Sequence, residues 1–295
     1  MYGVNNVIAS DLGDNHTNDI NYTQLDVSNR QALHKIVKQY DITQIYHLAA
    51  VLSANGENHP IRTWDINCNT ILNVLEVAKE NKLNKIFFPS SIAVFGSNVL
   101  KINTPQEILL NPQTAYGISK VAGENWALYY HKKYGLDVRS LRYPGLIGYQ
   151  SLPGGGTTDY AVDIYHKAVK QEVFTCYLKP DTKMPMMFID DAVRATLELM
   201  EAPKKNITIR TSYNLQGVSF SPSQVTASIK KYYPNFQITY NPDHRQKIAD
   251  SWPISLNDTQ ARAHWNWNPN YTLEDITIEM IHQLEKQYQS EIENI

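Results

Sequence analysis

Short apolar runs alternate with longer amphipathic stretches through the first half of the chain. Residues 7–11 (Val-Ile-Ala-Ser-Asp) read as a buried strand ending in an acid, and residues 22–25 as a second strand. Ser28 is placed to cap a helix running to about residue 40. A third strand is predicted over 44–48. A long helix follows over 60–81, with Pro60 in the first turn, where its missing N–H removes no helical bond. Residues 85–90 carry Ile86, Phe87 and Phe88 and read as a fourth strand. A helix over 114–134 and a strand over 137–143 continue the alternation. Repeated strand–helix–strand units imply right-handed crossovers, and so an α/β fold with a doubly wound parallel sheet and helices on both faces.

After Pro144 the pattern loosens. A Gly154-Gly155-Gly156 loop is followed by helices expected over 158–170, 190–200, 221–233 and 273–287, with a late strand over 213–215. The segment 242–253 reads as a structured loop, because Ile248 and Trp252 need burial. These elements suggest a smaller lobe whose segments partly return to the main sheet.

Composition narrows the class. The 295 residues are 42% hydrophobic and 19% charged, as in ordinary globular proteins, and the net charge is −2. Nothing in that balance favours nucleic acid or an anionic membrane as partner. No apolar run approaches the roughly 20 residues needed to span a bilayer. The first residues carry no secretory pattern, so a cytoplasmic protein is expected. Cys68 and Cys176 lie far apart without a ligand pattern, which fits a reducing compartment and points to neither a disulfide nor a metal site.

Three groups of residues carry candidate chemistry. Tyr116 and Lys120 stand four apart at the start of a helix and share one face. A free phenol ionises near pH 10, and a nearby ammonium favours the phenolate, so the pair can act as a general base. By itself this spacing arises by chance in many helices. Ser90 and Ser91 end a buried strand, where open α/β sheets bind ligands, and a hydroxyl there can hold a reacting oxygen. The alternative is a turn that uses serine for local backbone bonds. Asp11, Asp26-Val27 and His47-Leu48-Ala49-Ala50 end further strands on the same sheet edge. An acid in such a place can bond ribose hydroxyls, and small residues let a ligand approach the backbone. His47 is otherwise an ordinary structural histidine.

Taken together, Pro89-Ser90-Ser91-Ile92-Ala93-Val94-Phe95-Gly96, Tyr116-x-x-x-Lys120 and Leu141-Arg142-Tyr143-Pro144-Gly145 resemble the extended short-chain dehydrogenase/reductase superfamily in order and spacing. Within it, three segments resemble the epimerase-like L-threonine 3-dehydrogenases. They are residues 48–54, residues 153–161, and Ile248-Ala249-Asp250-Ser251-Trp252-Pro253 with Asp258, Ala261-Arg262 and Trp265-Asn266-Trp267 after it. The resemblance implies a Rossmann-like dinucleotide-binding domain over 1–145 and a substrate lobe over 146–295. It implies NAD-dependent oxidation of L-threonine to 2-amino-3-oxobutyrate. It implies catalytic Ser91, Tyr116 and Lys120, and cofactor contacts at Asp11, Asp26, Val27, His47, Leu48, Ala49, Ala50, Asn67, Lys120 and Tyr143. Substrate contacts are implied at Ser53, Ser91, Tyr116, Thr157 and Thr158, with no metal, and a homodimer through the helices over 65–81 and 114–134.

Asn69 stands where glycine is common in the family. A larger departure lies at the start. Members open with a strand and a Gly-x-x-Gly-x-x-Gly loop, whereas residues 1–7 here resemble the end of the following helix and the start of the second strand. The expectation is a chain lacking its first strand and glycine loop, with a frame opening roughly 25 residues earlier and the motif spacing of the dinucleotide fingerprint. Two other readings stay open: a nucleotide-sugar epimerase or dehydratase, and a non-catalytic binding protein.

Overall fold

The computed structural model describes residues 2–14 and 21–293. A 3-10 turn at Val4–Asn6 leads into β1 (Ile8–Asp11), which pairs in parallel with β2 (Asn21–Gln24). Helix α1 (Arg30–Gln39), β3 (Gln44–Tyr46), a short α2 (Ser53–Glu57) and a long α3 (Pro60–Glu80) follow. Next come β4 (Lys85–Ser91), α4 (Ala115–Tyr134), β5 (Val138–Tyr143) and β6 (Gly145–Ile147). The chain continues through α5 (Tyr160–Val169), β7 (Phe174–Cys176), β8 (Met184–Phe188), α6 (Ile189–Glu201) and β9 (Tyr213–Asn214). It ends with β10 (Val218–Phe220), α7 (Pro222–Ile229), β11 (Ile238–Tyr240), α8 (Arg245–Ser251), α9 (Thr259–Trp265) and α10 (Leu273–Glu293).

The sheet that carries the site is parallel, in the order β3-β4-β5-β9. Its inner strands are buried on both faces. Ile86 and Phe88 pack towards α3 and α4, while Phe87 and Leu141 pack towards α6 and Trp265. Burial on both faces suits the apolar run of β4, whereas β5 also buries Arg139, Ser140 and Arg142, each hydrogen-bonded inside. The chain returns to this sheet late: Tyr213 and Asn214 of β9 pair with Leu141 and Arg142 of β5. A three-stranded sheet (β10-β8-β6) and a parallel pair (β11-β7) pack with α5, α7 and α10 around the largest core, which includes Phe95, Tyr160, Met186, Phe188 and Trp252.

Strands β1 and β2 are not hydrogen-bonded to the four-stranded sheet, and β3 is an edge strand. Helix α1 nevertheless buries Leu33 and Val37 in the same core as α3.

Several local expectations need correction. The cap of α1 is Asn29, whose side chain accepts from the Ala32 N–H, and Ser28 sits in the preceding turn. Both are good caps, and only the register of the turn decides between them. The segment over 242–253 contains helix α8 rather than loop alone, and Trp252 packs in the core as its need for burial implies. Lys101 holds the end of α8, donating to the carbonyls of Asp250 at 2.8 Å and Trp252 at 2.9 Å. Among the described residues, no helix is long and apolar enough to cross a membrane.

Candidate active site

Strand β4 ends at Ser91, whose hydroxyl accepts from the Ala93 N–H at 3.2 Å and so caps a short 3-10 turn at Ile92–Val94. Helix α4 begins against that turn. Thr114 caps it by accepting from Gly117 N at 3.0 Å, and the Glu57 carboxylate accepts from Ala115 N at 2.7 Å. The first turn of α4 therefore presents Tyr116 beside Ser91, and its second presents Lys120 beneath them.

Lys120 is buried, and its ammonium donates to the Pro89 carbonyl at 2.7 Å. The nitrogen lies 4.8 Å from the Phe88 ring centroid and 5.3 Å from that of Tyr116. Burial pulls its pKa down to about 8, although the nearby Cys68 and Glu124 work the other way. Burial pushes the Tyr116 phenol up to about 12, and a polar interaction with Ser91 works against that rise. The shift of the Tyr116 phenol thus runs opposite to the lowering expected from Lys120. Desolvation disfavours both charged forms and is the largest cause of each shift.

The candidate cofactor residues line the carboxyl ends of the parallel strands. Asp11 is exposed at the end of β1, and its carboxylate accepts from Leu12 N at 2.6 Å. Asp26 and Val27 follow β2; Asp26 accepts from Ser28 N at 2.9 Å, and its bonds to Ser28 hold its carboxyl below the usual range. His47 ends β3, buried, with Nε2 3.1 Å from the Thr70 hydroxyl. Burial, helped by the Lys120 charge, lowers its pKa to about 3 and favours the neutral imidazole. Leu48 and Ala49 lie on the surface and Ala50 is half-buried. Asn67 holds the next residue: it accepts from Val51 N at 2.8 Å and donates to Val51 O and the Ser119 hydroxyl at 3.1 Å. Tyr143 pairs in register with Ser91, but its hydroxyl turns to Thr196 and the Ala192 carbonyl on α6.

On the other side, Ser53 opens α2 and is buried. Thr157 is 1% exposed, and its hydroxyl has no hydrogen-bond partner among the described residues. Thr158 packs on Gly145, where an added Cβ would come within 2.7 Å of the threonine Cβ. Within this loop, Gly156 N donates to the Asp159 carboxylate at 2.8 Å.

Two positions escaped the sequence reading. Asn55 on α2 donates to Gly154 O at 2.9 Å and ties the segment after β3 to the glycine loop. No sequence signal marks it. Glu124 continues the stripe of Tyr116 and Lys120 by one more turn, at a spacing visible in the sequence.

The described residues fit the two nucleoside ends of a dinucleotide. Strand ends with acids and exposed backbone lie at one end, and a buried ammonium with a single acceptor lies at the other. No Gly-x-x-Gly-x-x-Gly loop for the pyrophosphate occurs within these 295 residues.

A doubly wound sheet whose central strand end meets a Tyr-x-x-x-Lys helix is the arrangement of the extended short-chain dehydrogenases and epimerases. More narrowly, the chain belongs to the NAD dependent epimerase/dehydratase family, whose profile matches residues 4–215. An uncharacterized epimerase/dehydratase of Staphylococcus haemolyticus is 43% identical over 295 residues, covering 98% of this chain and 92% of that protein. Among solved structures, the holo form of a GalE-like L-threonine dehydrogenase from Cupriavidus necator superposes with a TM-score of 0.95 at 48% identity. That match covers 96% of this chain and 92% of that one. An L-threonine dehydrogenase from Clostridium difficile gives 0.94 at 44% identity, covering 97% and 91%.

Proposed function

We propose that this chain oxidises L-threonine to 2-amino-3-oxobutyrate with NAD, using Ser91, Tyr116 and Lys120. The observation that carries the reading is the meeting of these three residues at the end of β4, in a chain that is 48% identical to a threonine dehydrogenase. The reaction removes a proton from the β-hydroxyl and a hydride from the β-carbon. NAD, when bound, supplies the hydride acceptor and a positive charge that favours the phenolate. Tyr116 takes the hydroxyl proton. Ser91 holds the reacting oxygen, and Lys120 supplies a buried positive charge to the cofactor ribose and the phenolate. General-base help of this kind is typically worth about 10²–10⁴-fold. Thr157, with its unpartnered hydroxyl, and Thr158 hold the substrate. Asp11 selects NAD by repelling a 2′-phosphate.

We further propose a homodimer through α3 and α4, where Trp64, Trp126, Tyr129 and Tyr134 are each about two-fifths exposed.

The test supplies the purified chain with NAD and either L-threonine or a uridine diphosphate sugar, after calorimetry of NAD binding. Reduction of NAD with threonine supports the reading. Turnover of the sugar nucleotide without threonine oxidation overturns it. That outcome favours the epimerase or dehydratase reading, to which the name of the staphylococcal relative points. A folded chain that binds no NAD points instead to a non-catalytic role.

A further inference from the structure

Strand β4 meets helix α4 at three successive residues. Lys120 donates to the Pro89 carbonyl at 2.7 Å, the Ser90 hydroxyl donates to Glu124 at 2.6 Å, and Tyr116 faces Ser91. Helical positions 116, 120 and 124 lie one turn apart, so a single stripe of the helix grips the whole strand end.

Glu124 is 1% exposed, and both of its oxygens are engaged. Arg142 of β5 donates to it twice, from Nε at 2.9 Å and from a terminal nitrogen at 2.7 Å. The other terminal nitrogen of Arg142 donates to the Gln106 carbonyl at 3.0 Å and the Asn214 side chain at 3.1 Å. One buried ion pair therefore joins α4, β4, β5 and β9 directly below the candidate catalytic residues. A buried pair of this kind seldom adds more stability than apolar packing would.

We propose that Glu124 is a positioning residue: clamped by Arg142, it fixes Ser90, and with it the height of Pro89 and Ser91 against Lys120 and Tyr116. The inference rests on the reading of Tyr116 and Lys120 as the reacting pair. It assigns the pair's alignment to a buried charge pair behind them.

The Glu124–Arg142 unit is neutral, so losing either member leaves one buried charge near Lys120. Glu124→Gln leaves Arg142 positive, which favours proton loss from Lys120 and Tyr116. Arg142→Met leaves Glu124 negative, which opposes that loss. The other groups facing Lys120 are Cys68 on α3, with Asp65 beyond it, and His47 after β3. They are the same in both variants.

The lysine side chains of the substrate-free protein are titrated by isotope-edited NMR, with Lys120 assigned through Lys120→Arg. The wild-type midpoint near 8 is expected to fall in Glu124→Gln and rise in Arg142→Met. In the Glu124→Gln/Arg142→Met double variant it returns towards the wild-type value. In steady-state assays, Glu124→Gln and Ser90→Ala both lower kcat by about tenfold to a hundredfold with little change in KM, as expected for slight misplacement. Ser90→Ala leaves the lysine midpoint where it was. Midpoints that move the same way in both charge variants, or a kcat untouched by Ser90→Ala, overturn the proposal. Where a single charge variant does not fold, the kcat of Ser90→Ala and the return of the lysine midpoint in the double variant decide. If the wild-type chain oxidises no threonine, the functional reading has failed by itself, and the NMR midpoints still decide how the charge pair acts on Lys120.

Discussion

Gly117 lies so close to Ala93 that a Cβ on it would stand 2.2 Å from the Ala93 carbonyl oxygen. The atom in the way is backbone, so it cannot rotate aside, and either α4 or the turn after β4 must move. Gly117→Ala is expected to cost about 1–3 kcal/mol of stability, the usual range for overpacking. Because Tyr116 is the adjacent residue, turnover should fall as well. Denaturant unfolding and steady-state rates check both effects.

Tyr116→Phe keeps the ring and removes only the hydroxyl. Turnover with threonine should drop by about 10²–10⁴-fold. Calorimetry should find NAD affinity close to wild type. A variant retaining most of the rate would remove Tyr116 from the role of base.

Lys120 sets a dependence of stability on pH. Its pKa is about 8 in the folded chain and 10.5 in its ordinary state. Between those values the unfolded chain holds a proton that the folded chain has lost, so this residue makes stability rise with pH across the window. Below pH 8 the full penalty of burying an ammonium applies, about 3 kcal/mol. Lys120→Met should therefore melt at a higher temperature than wild type at pH 7 while losing activity. Its advantage should shrink as the pH is raised from 8 to 10.5. Melting curves of both proteins over that range give the answer.

Thr157→Val removes a buried hydroxyl that has no protein partner while keeping its shape. Stability should hold or rise slightly. If that hydroxyl binds substrate, KM for threonine should increase by about threefold to tenfold, the worth of one ordinary hydrogen bond. An unchanged KM would mean that the hydroxyl faces no substrate.

Asp11 tests cofactor choice. Asp11→Ser removes the charge expected to repel a 2′-phosphate. The ratio of NADP to NAD affinity, measured by titration, should rise in the variant, and an unchanged ratio would take Asp11 out of that role.

What was legible in the sequence follows from burial. Strand β4 is covered on both faces and carries the apolar run Ile86-Phe87-Phe88, so its position was read to within a residue. Strand β5 was read as closely, although Arg139, Ser140 and Arg142 interrupt its apolar positions. Strands β6, β7, β10 and β11 have three residues each, too few for a period to emerge. Helix α2 escaped because five residues including Gly56 carry no helical pattern. The candidate site residues could be named from the family resemblance that their motifs carry, but their charge states could not. The direction of the Tyr116 shift depends on how thoroughly the neighbours exclude water, and these come from segments far apart in the chain. Asn55 was invisible for the same reason: its partner, Gly154, is 99 positions away.

The late return of β9 has a consequence for building chimeras. Asn214 lies beside Arg142 in the sheet and accepts a bond from its guanidinium. A hybrid made with one crossover near residue 145 would take its β5 from one parent and its β9 from the other, splitting that buried contact between two ancestries. Exchanging the segments that shape the substrate side therefore calls for at least two further junctions. One falls between α6 and β9 and the other between β9 and β10, so that residues 213–214 travel with the strand they pair with.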